Sequence, residues 1–267
     1  SGAFDRMPTR FAYTTVVDTA SDPANTFPLR DRVERGEIRG PRILSAGAAL
    51  YPKDGIPVYL RDLPPEFLSK LPQPGEAAQA RQLVRANLDS GADATKLFIA
   101  TPQADGSTRY MVPEIARAAA EESHARGRLV MAHPTDTAGM NAILDAKVDI
   151  AAHTTIGRSS AWSPELIRKL VAARVSVVPT LKLWGYELDK NKVPAEVQTR
   201  LVDGALKEVK AFSDAGGQIL FGTDVGYMFE LDPTEEYELL GQAGLTTMQI
   251  LASLTTAPAG RWNESGK

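Results

Sequence analysis

The chain has 267 residues, with 30 Lys and Arg against 33 Asp and Glu for a net charge of −3, three histidines and no cysteine. That composition excludes a disulfide framework, a cysteine-based zinc site and a thiol nucleophile, and the near-neutral charge argues against a nucleic-acid footprint. With 43% hydrophobic residues the chain can bury the core of one large α/β barrel or of two ordinary domains.

No run of about 18 apolar residues suggests a membrane span, and residues 1–6 lack the basic-then-apolar pattern of a signal peptide. The expectation is a soluble protein; the lack of cysteine suits cytoplasm or periplasm equally.

Short β-branched or apolar runs alternate with amphipathic helical stretches, the order that makes a parallel sheet with crossover helices. In chain order, strands are expected at residues 12–18, 42–47, 94–100, 128–133, 149–153, 174–180 and 218–223. Residues 56–60 lie between prolines, within an irregular stretch at 48–74 whose length suits a lid or pocket wall. A helix at 76–90 places Ala80, Leu83, Val84 and Leu88 on one face and stops at Gly91. Pro113, Pro164 and Pro233 fit first helical positions. Ser163 and Asp232 precede two of them as N-caps, with Glu235 as capping-box partner of Asp232. A last amphipathic helix spans 246–254, and no linker divides the chain, so residues 1–267 read as a single barrel domain.

In such a barrel the functional side chains project from the C-terminal ends of the strands. Lys96 lies in the 94–100 strand, the next two end in His133 and His153, and the last runs into Asp224. The two histidines are twenty positions apart, one helix-plus-strand unit. Adjacent parallel strands lie about 4.8 Å apart, so the two imidazoles can converge on one ion. The plainer reading makes each histidine a hydrogen-bonded structural residue, Lys96 a salt-bridge partner of Asp224, and Asp224 a turn or cap residue. His124, in the last turn of a helix before Gly127, takes only that plainer reading.

The order Lys96, His133, His153, Asp224, together with Thr14-Thr15-Val16-Val17-Asp18, Gly40-Pro41-Arg42-Ile43-Leu44 and Leu254-Thr255-Thr256-Ala257-Pro258, resembles the amidohydrolase superfamily, nearest its imidazolonepropionase- and prolidase-like branch. The resemblance covers nearly the whole chain. It implies a (β/α)8 TIM barrel of the metal-dependent hydrolase type that holds one or two divalent ions, zinc above all. Lys96 would carry a CO2-derived carbamate, because a protonated lysine has no lone pair to donate. His133 and His153 would bind the second ion, and Asp224 would bind the first weakly and shuttle a proton from metal-activated water.

One family feature is missing. The His-x-His pair that ends the first barrel strand has no counterpart, and seven strand signals leave strand one not evident; the small flanking β-sandwich is absent as well. At most one metal is therefore expected, and the chain reads as an excerpt or a naturally short form.

The implied reaction is hydrolysis of a C–N bond in an amide, a cyclic amide or an imino-dipeptide, with a small-molecule or dipeptide-like substrate and neither nucleic acid nor membrane as partner. Tyr51, Arg158, Lys182, Trp184 and Tyr227 follow strand ends and are candidate substrate contacts. The alternative is a non-catalytic or assembly-dependent barrel fragment, since fold does not fix function. The edges at 12–18 and 218–223 would then invite pairing into a homo-oligomer.

Overall fold

The computed structural model describes residues 10–156 and 162–264. The chain divides into two compact units, Ser1–His133 and Pro134–Lys267. Among the described residues no helix is long and apolar enough to cross a membrane.

In the first unit, β1 (Thr15–Asp18) and β2 (Arg42–Ser45) pair in parallel, Thr15 opposite Arg42. Helix α1 (Pro23–Glu34) connects them. It starts where expected chemistry allows: Asp22 Oδ1 accepts from the Ala24 amide at 3.0 Å, and Pro23 occupies the first turn, where no N–H is needed. The irregular stretch after β2 holds a 3-10 turn at Val58–Leu60 and a short helix, α2 (Pro65–Leu68). Its start is less irregular than its composition suggests. Leu50 donates to the Lys96 carbonyl at 2.9 Å and accepts from the Phe98 amide at 2.8 Å, a parallel bridge to the next strand.

Helix α3 (Ala77–Asp89) buries Ala80 and Val84 together with Asn87, and Gly91 follows it with φ +110°, a conformation open to glycine. Strand β3 (Ala94–Phe98) is buried at every position. A hairpin of β4 (Ala100–Pro102) and β5 (Thr108–Tyr110) then forms, turned by Asp105-Gly106 with Gly106 at φ +80°. Asp-Gly is a strong hairpin signal; the alternation beside it is too short to stand out as strands. Helix α4 (Pro113–Ala125) leads to β6 (Leu129–His133), which pairs in parallel with β3, Lys96 opposite Met131 and Phe98 opposite His133. His124 lies in the last turn of α4, as expected. Arg85 on α3 grips Glu122 on α4 with two bonds of 2.8 and 2.9 Å.

The second unit runs α5 (Thr137–Asp145), β7 (Ile150–Ala152), α6 (Pro164–Ala172), β8 (Ser176–Val178), α7 (Leu181–Lys190), α8 (Ala195–Asp214), α9 (Thr234–Gln242), α10 (Thr247–Leu254) and α11 (Thr256–Arg261). β7 and β8 are parallel, Ile150 opposite Ser176. Ile143, Ile150, Leu170, Val177, Leu181, Phe212 and Leu240 are buried in this unit, each burial worth about 1.5–3 kcal/mol.

Two local expectations are corrected here. Residues 218–223 form no strand beyond a single bridge, Val177 to Ile219. The Phe221 amide leaves the ladder to donate to the Ser253 carbonyl at 3.0 Å, so the pairing stops after one residue. Pro233 is the N-cap of α9 rather than its first helical residue. Asp232 still serves that end, accepting from the Thr234 amide at 3.0 Å, but the capping box is at α10, between Thr246 and Gln249. Ser163 caps α6 as expected, accepting from the Leu166 amide at 3.1 Å.

Gly139 shows how tightly the turn after His133 is packed. A Cβ there would fall far inside contact distance of the Pro134 carbonyl oxygen, a backbone atom that cannot swing away. Gly139→Ala is expected to cost about 3 kcal/mol despite the better helix propensity of alanine; an unchanged thermal unfolding midpoint would contradict this packing.

Candidate functional site

In the first unit, Lys96 lies in the centre of β3 and is 2% exposed. Its Nζ is 5.4 Å from the centroid of Phe98, a geometry in which the ring face attracts the cation. Phe98 stacks against Tyr51 at 4.5 Å and 13° and against His133 at 5.3 Å and 29°. The ladder explains the second contact, because Phe98 and His133 are register partners. Tyr51 is buried with Ala49 and Phe98 under Tyr59, Leu60 and Leu71, and burial pushes its phenol up to about 12.

In the second unit, Thr135 (+61°), His153 (+90°) and Thr180 (+47°), which follow strands, and Asp224 (+61°), in a turn, have positive φ without being glycine. Such residues are uncommon, and a β-branched one is an outlier. Each costs on the order of 1–3 kcal/mol and persists only where its surroundings over-determine it.

Those surroundings are visible. Around Thr135 the Asp136 amide donates back to the Pro134 carbonyl at 2.7 Å, while the Asp136 carboxylate caps α5 through the Gly139 amide at 2.8 Å. His153 donates its amide to the Val178 carbonyl at 2.9 Å, extending the β7–β8 ladder by one residue. Its Nδ1 is 2.6 Å from Thr180 Oγ1, and its ring meets Trp184 edge-on at 6.2 Å. The Trp184 indole donates to Thr154 Oγ1 at 2.7 Å. Thr155 is held by Glu208, which accepts from its amide at 3.0 Å and its hydroxyl at 2.9 Å; the Trp162 indole donates to that hydroxyl oxygen at 2.9 Å.

Thr180 is followed at once by α7, whose first amides, Leu181 and Lys182, donate to the two oxygens of Glu236 at 3.0 and 2.8 Å. Asp224 is half-buried and accepts at its backbone carbonyl from Tyr227 and Met228, both at 3.2 Å.

The candidate substrate contacts have partners inside the fold. Lys182 Nζ donates to the Asp232 carbonyl at 2.9 Å. The Tyr227 hydroxyl donates to Glu187 at 2.6 Å and accepts from Lys190 at 3.0 Å; burial, then Glu187, drives its ionisation well above the ordinary tyrosine range. Arg158 lies outside the described residues.

No protein-family model matches the sequence, and no curated protein matches it. Solved structures do. A Xaa-Pro dipeptidase with methionine bound in its active site has a TM-score of 0.84 at 20% identity, over 99% of this chain and 66% of its own. An amidohydrolase aligns over 100% and 67%, with a TM-score of 0.77 and 23% identity. The A. niger ochratoxinase aligns over 97% and 62%, with a TM-score of 0.77 and 21% identity. The fold is that of the amidohydrolases. The chain spans about two thirds of the length of these relatives.

Within the amidohydrolase fold, the residues that sequence reasoning missed are Thr180, Glu208 and Glu236. A signal for two of them existed. Glu208 shares the buried side of α8 with Ala205, Val209 and Phe212, and Glu236 shares the buried side of α9 with Leu240. A carboxylate on an apolar helix stripe is rare unless it is bonded.

The donor chemistry bears on a metal. Among the described residues no group of three or more His, Asp and Glu could hold an ion. Two imidazoles alone supply too few protein donors for a catalytic site, which needs three.

Burial pushes the carboxyls of Glu208 and Glu236 up to about 7 from 4.5, against the opposing pull of their amide donors. Their folded values exceed the unfolded one, so the folded state binds more protons between the two. The contribution to stability is full below about 4.5 and is lost as pH rises through about 7. Denaturant titrations should show stability falling over that window by a few kcal/mol. Glu208→Gln or Glu236→Gln should flatten the fall; a double variant with the wild-type slope would contradict it.

Proposed function

We propose that this chain is the barrel of an amidohydrolase-type enzyme that hydrolyses a C–N bond in an amide, a cyclic amide or a dipeptide ending in an imino acid. The observation that carries the reading is backbone strain: His153 at the end of β7 and Asp224 in a turn, two of the four residues singled out by sequence, both have positive φ, and strain of that kind clusters at functional sites. The fold shared with a Xaa-Pro dipeptidase and an ochratoxinase supports the class of reaction.

The residues that would hold a divalent ion, zinc by preference, are Lys96 as its carbamate, His133, His153 and Asp224. When bound, such an ion supplies Lewis acidity toward a carbonyl and makes water nucleophilic at neutral pH. Asp224 takes the proton from the attacking water at its carboxylate and delivers it to the leaving nitrogen. Its half-buried position leaves the residue partly open to water. The turn closed by the Tyr227 and Met228 amides holds the Asp224 backbone while the proton moves. Tyr51, Arg158, Lys182, Trp184 and Tyr227 are proposed to shape the substrate pocket, directly or by supporting the loops that do.

Asp224→Asn should lower kcat about 10²- to 10⁴-fold on a panel of Xaa-Pro dipeptides and cyclic amides, with KM little changed. An Asn variant as active as wild type would remove Asp224 from the reaction. Elemental analysis should find no more than one tightly bound metal per chain, lost in His133→Ala or His153→Ala. Two tightly bound metals would contradict the donor count.

A further inference from the structure

We propose that Thr180 is the positioning residue that fixes His153 in the Nδ1-protonated tautomer, and that Glu236 holds Thr180 in the strained turn from which it does so. Thr180 Oγ1 lies 2.8 Å from the Pro179 carbonyl and 2.6 Å from His153 Nδ1. A carbonyl only accepts, so the single hydroxyl proton goes to Pro179. The ring nitrogen must then be the donor. With Nδ1 protonated, the lone pair of a neutral imidazole is on Nε2, the far side of the ring from Thr180.

His153 and Thr180 end neighbouring strand runs in register: His153 donates to the Val178 carbonyl, and Thr154 donates to the Pro179 carbonyl at 3.2 Å. Both residues have positive φ, and for a threonine this backbone is strained. Glu236 is completely buried and belongs to α9, yet it binds the two amides that directly follow Thr180. A carboxylate at a helix start satisfies amides that have no intrahelical partner. Here it also anchors the turn, because α7 cannot begin one residue earlier or later without breaking both bonds. The imidazole ring also meets Trp184 at 72°, with centroids 6.2 Å apart.

The use of Nε2 as a metal ligand rests on the function proposed above; the tautomer does not. Outer residues that orient a ligating histidine by taking its second N–H act in this way.

The test is 15N NMR of the full chain labelled at histidine, metal-free, at a pH where the rings are neutral. Only three histidines contribute, and a His153→Gln spectrum identifies the signals of interest. Wild type should show a protonated Nδ1 and an unprotonated Nε2 at His153. Thr180→Val should lose that preference, Thr180→Ser should restore it, and Glu236→Ala should weaken it in a folded protein. An Nε2-protonated His153 in wild type would overturn the proposal, as would a Thr180→Val spectrum identical to wild type. If Thr180→Val does not fold, the wild-type spectrum and the serine variant still decide. Zinc added to the same wild-type sample separates the two claims: a His153 Nε2 signal that ignores zinc removes the ligand role while the tautomer result stands.

Discussion

One hydrogen bond, 2.6 Å between His153 Nδ1 and Thr180 Oγ1, joins two residues whose backbones are both in the left-handed region. That arrangement is expensive. With Thr135 and Asp224 included, four such residues at about 1–3 kcal/mol each approach the 5–15 kcal/mol by which a whole domain is stable. Three of the turns are tied to neighbouring structure: Thr180 through the α7 amides to Glu236, the Thr154–Thr155 stretch to Trp184 and Glu208, and Thr135 to the capped start of α5. Two of these ties are carboxylates with raised proton affinity, which adds a desolvation cost of its own. A fold that concentrates strain and buried charge behind one set of strand ends is giving up stability for placement.

The first unit uses a different device. Lys96 and His133 are placed by a regular parallel ladder and by one aromatic ring: Phe98 stacks on His133 and faces the Lys96 ammonium. Tyr51 also stacks against Phe98. No backbone strain is needed, since alternate residues of β3 already present their side chains to one face. The two units thus carry their candidate donors by unlike means, a stiff strand in one and over-determined turns in the other.

Much of this was legible in the residues. Period and β-branched content located β1, β2, β3, β6, β7 and β8, because buried parallel strands read as short apolar runs. Their ends then pointed to Lys96, His133, His153 and Asp224. The run at 218–223 has the same composition but forms one bridge, since its pairing depends on where the Phe221 amide goes, and that partner, Ser253, is thirty-two positions away. Backbone strain at Thr180 was invisible for the same reason: nothing local marks a threonine for positive φ. Glu208 and Glu236 were the recoverable omissions, as each breaks an apolar helix stripe that the sequence displays.

The central proposal, that His133, His153 and Lys96 as its carbamate would hold one divalent ion, is tested most directly by X-ray absorption at the zinc edge on zinc-loaded full chain prepared with bicarbonate. The account predicts two imidazole nitrogens with oxygen donors around each zinc, and loss of one imidazole in His153→Ala. A spectrum with no imidazole contribution, or one unchanged when His133 and His153 are both replaced, would contradict it.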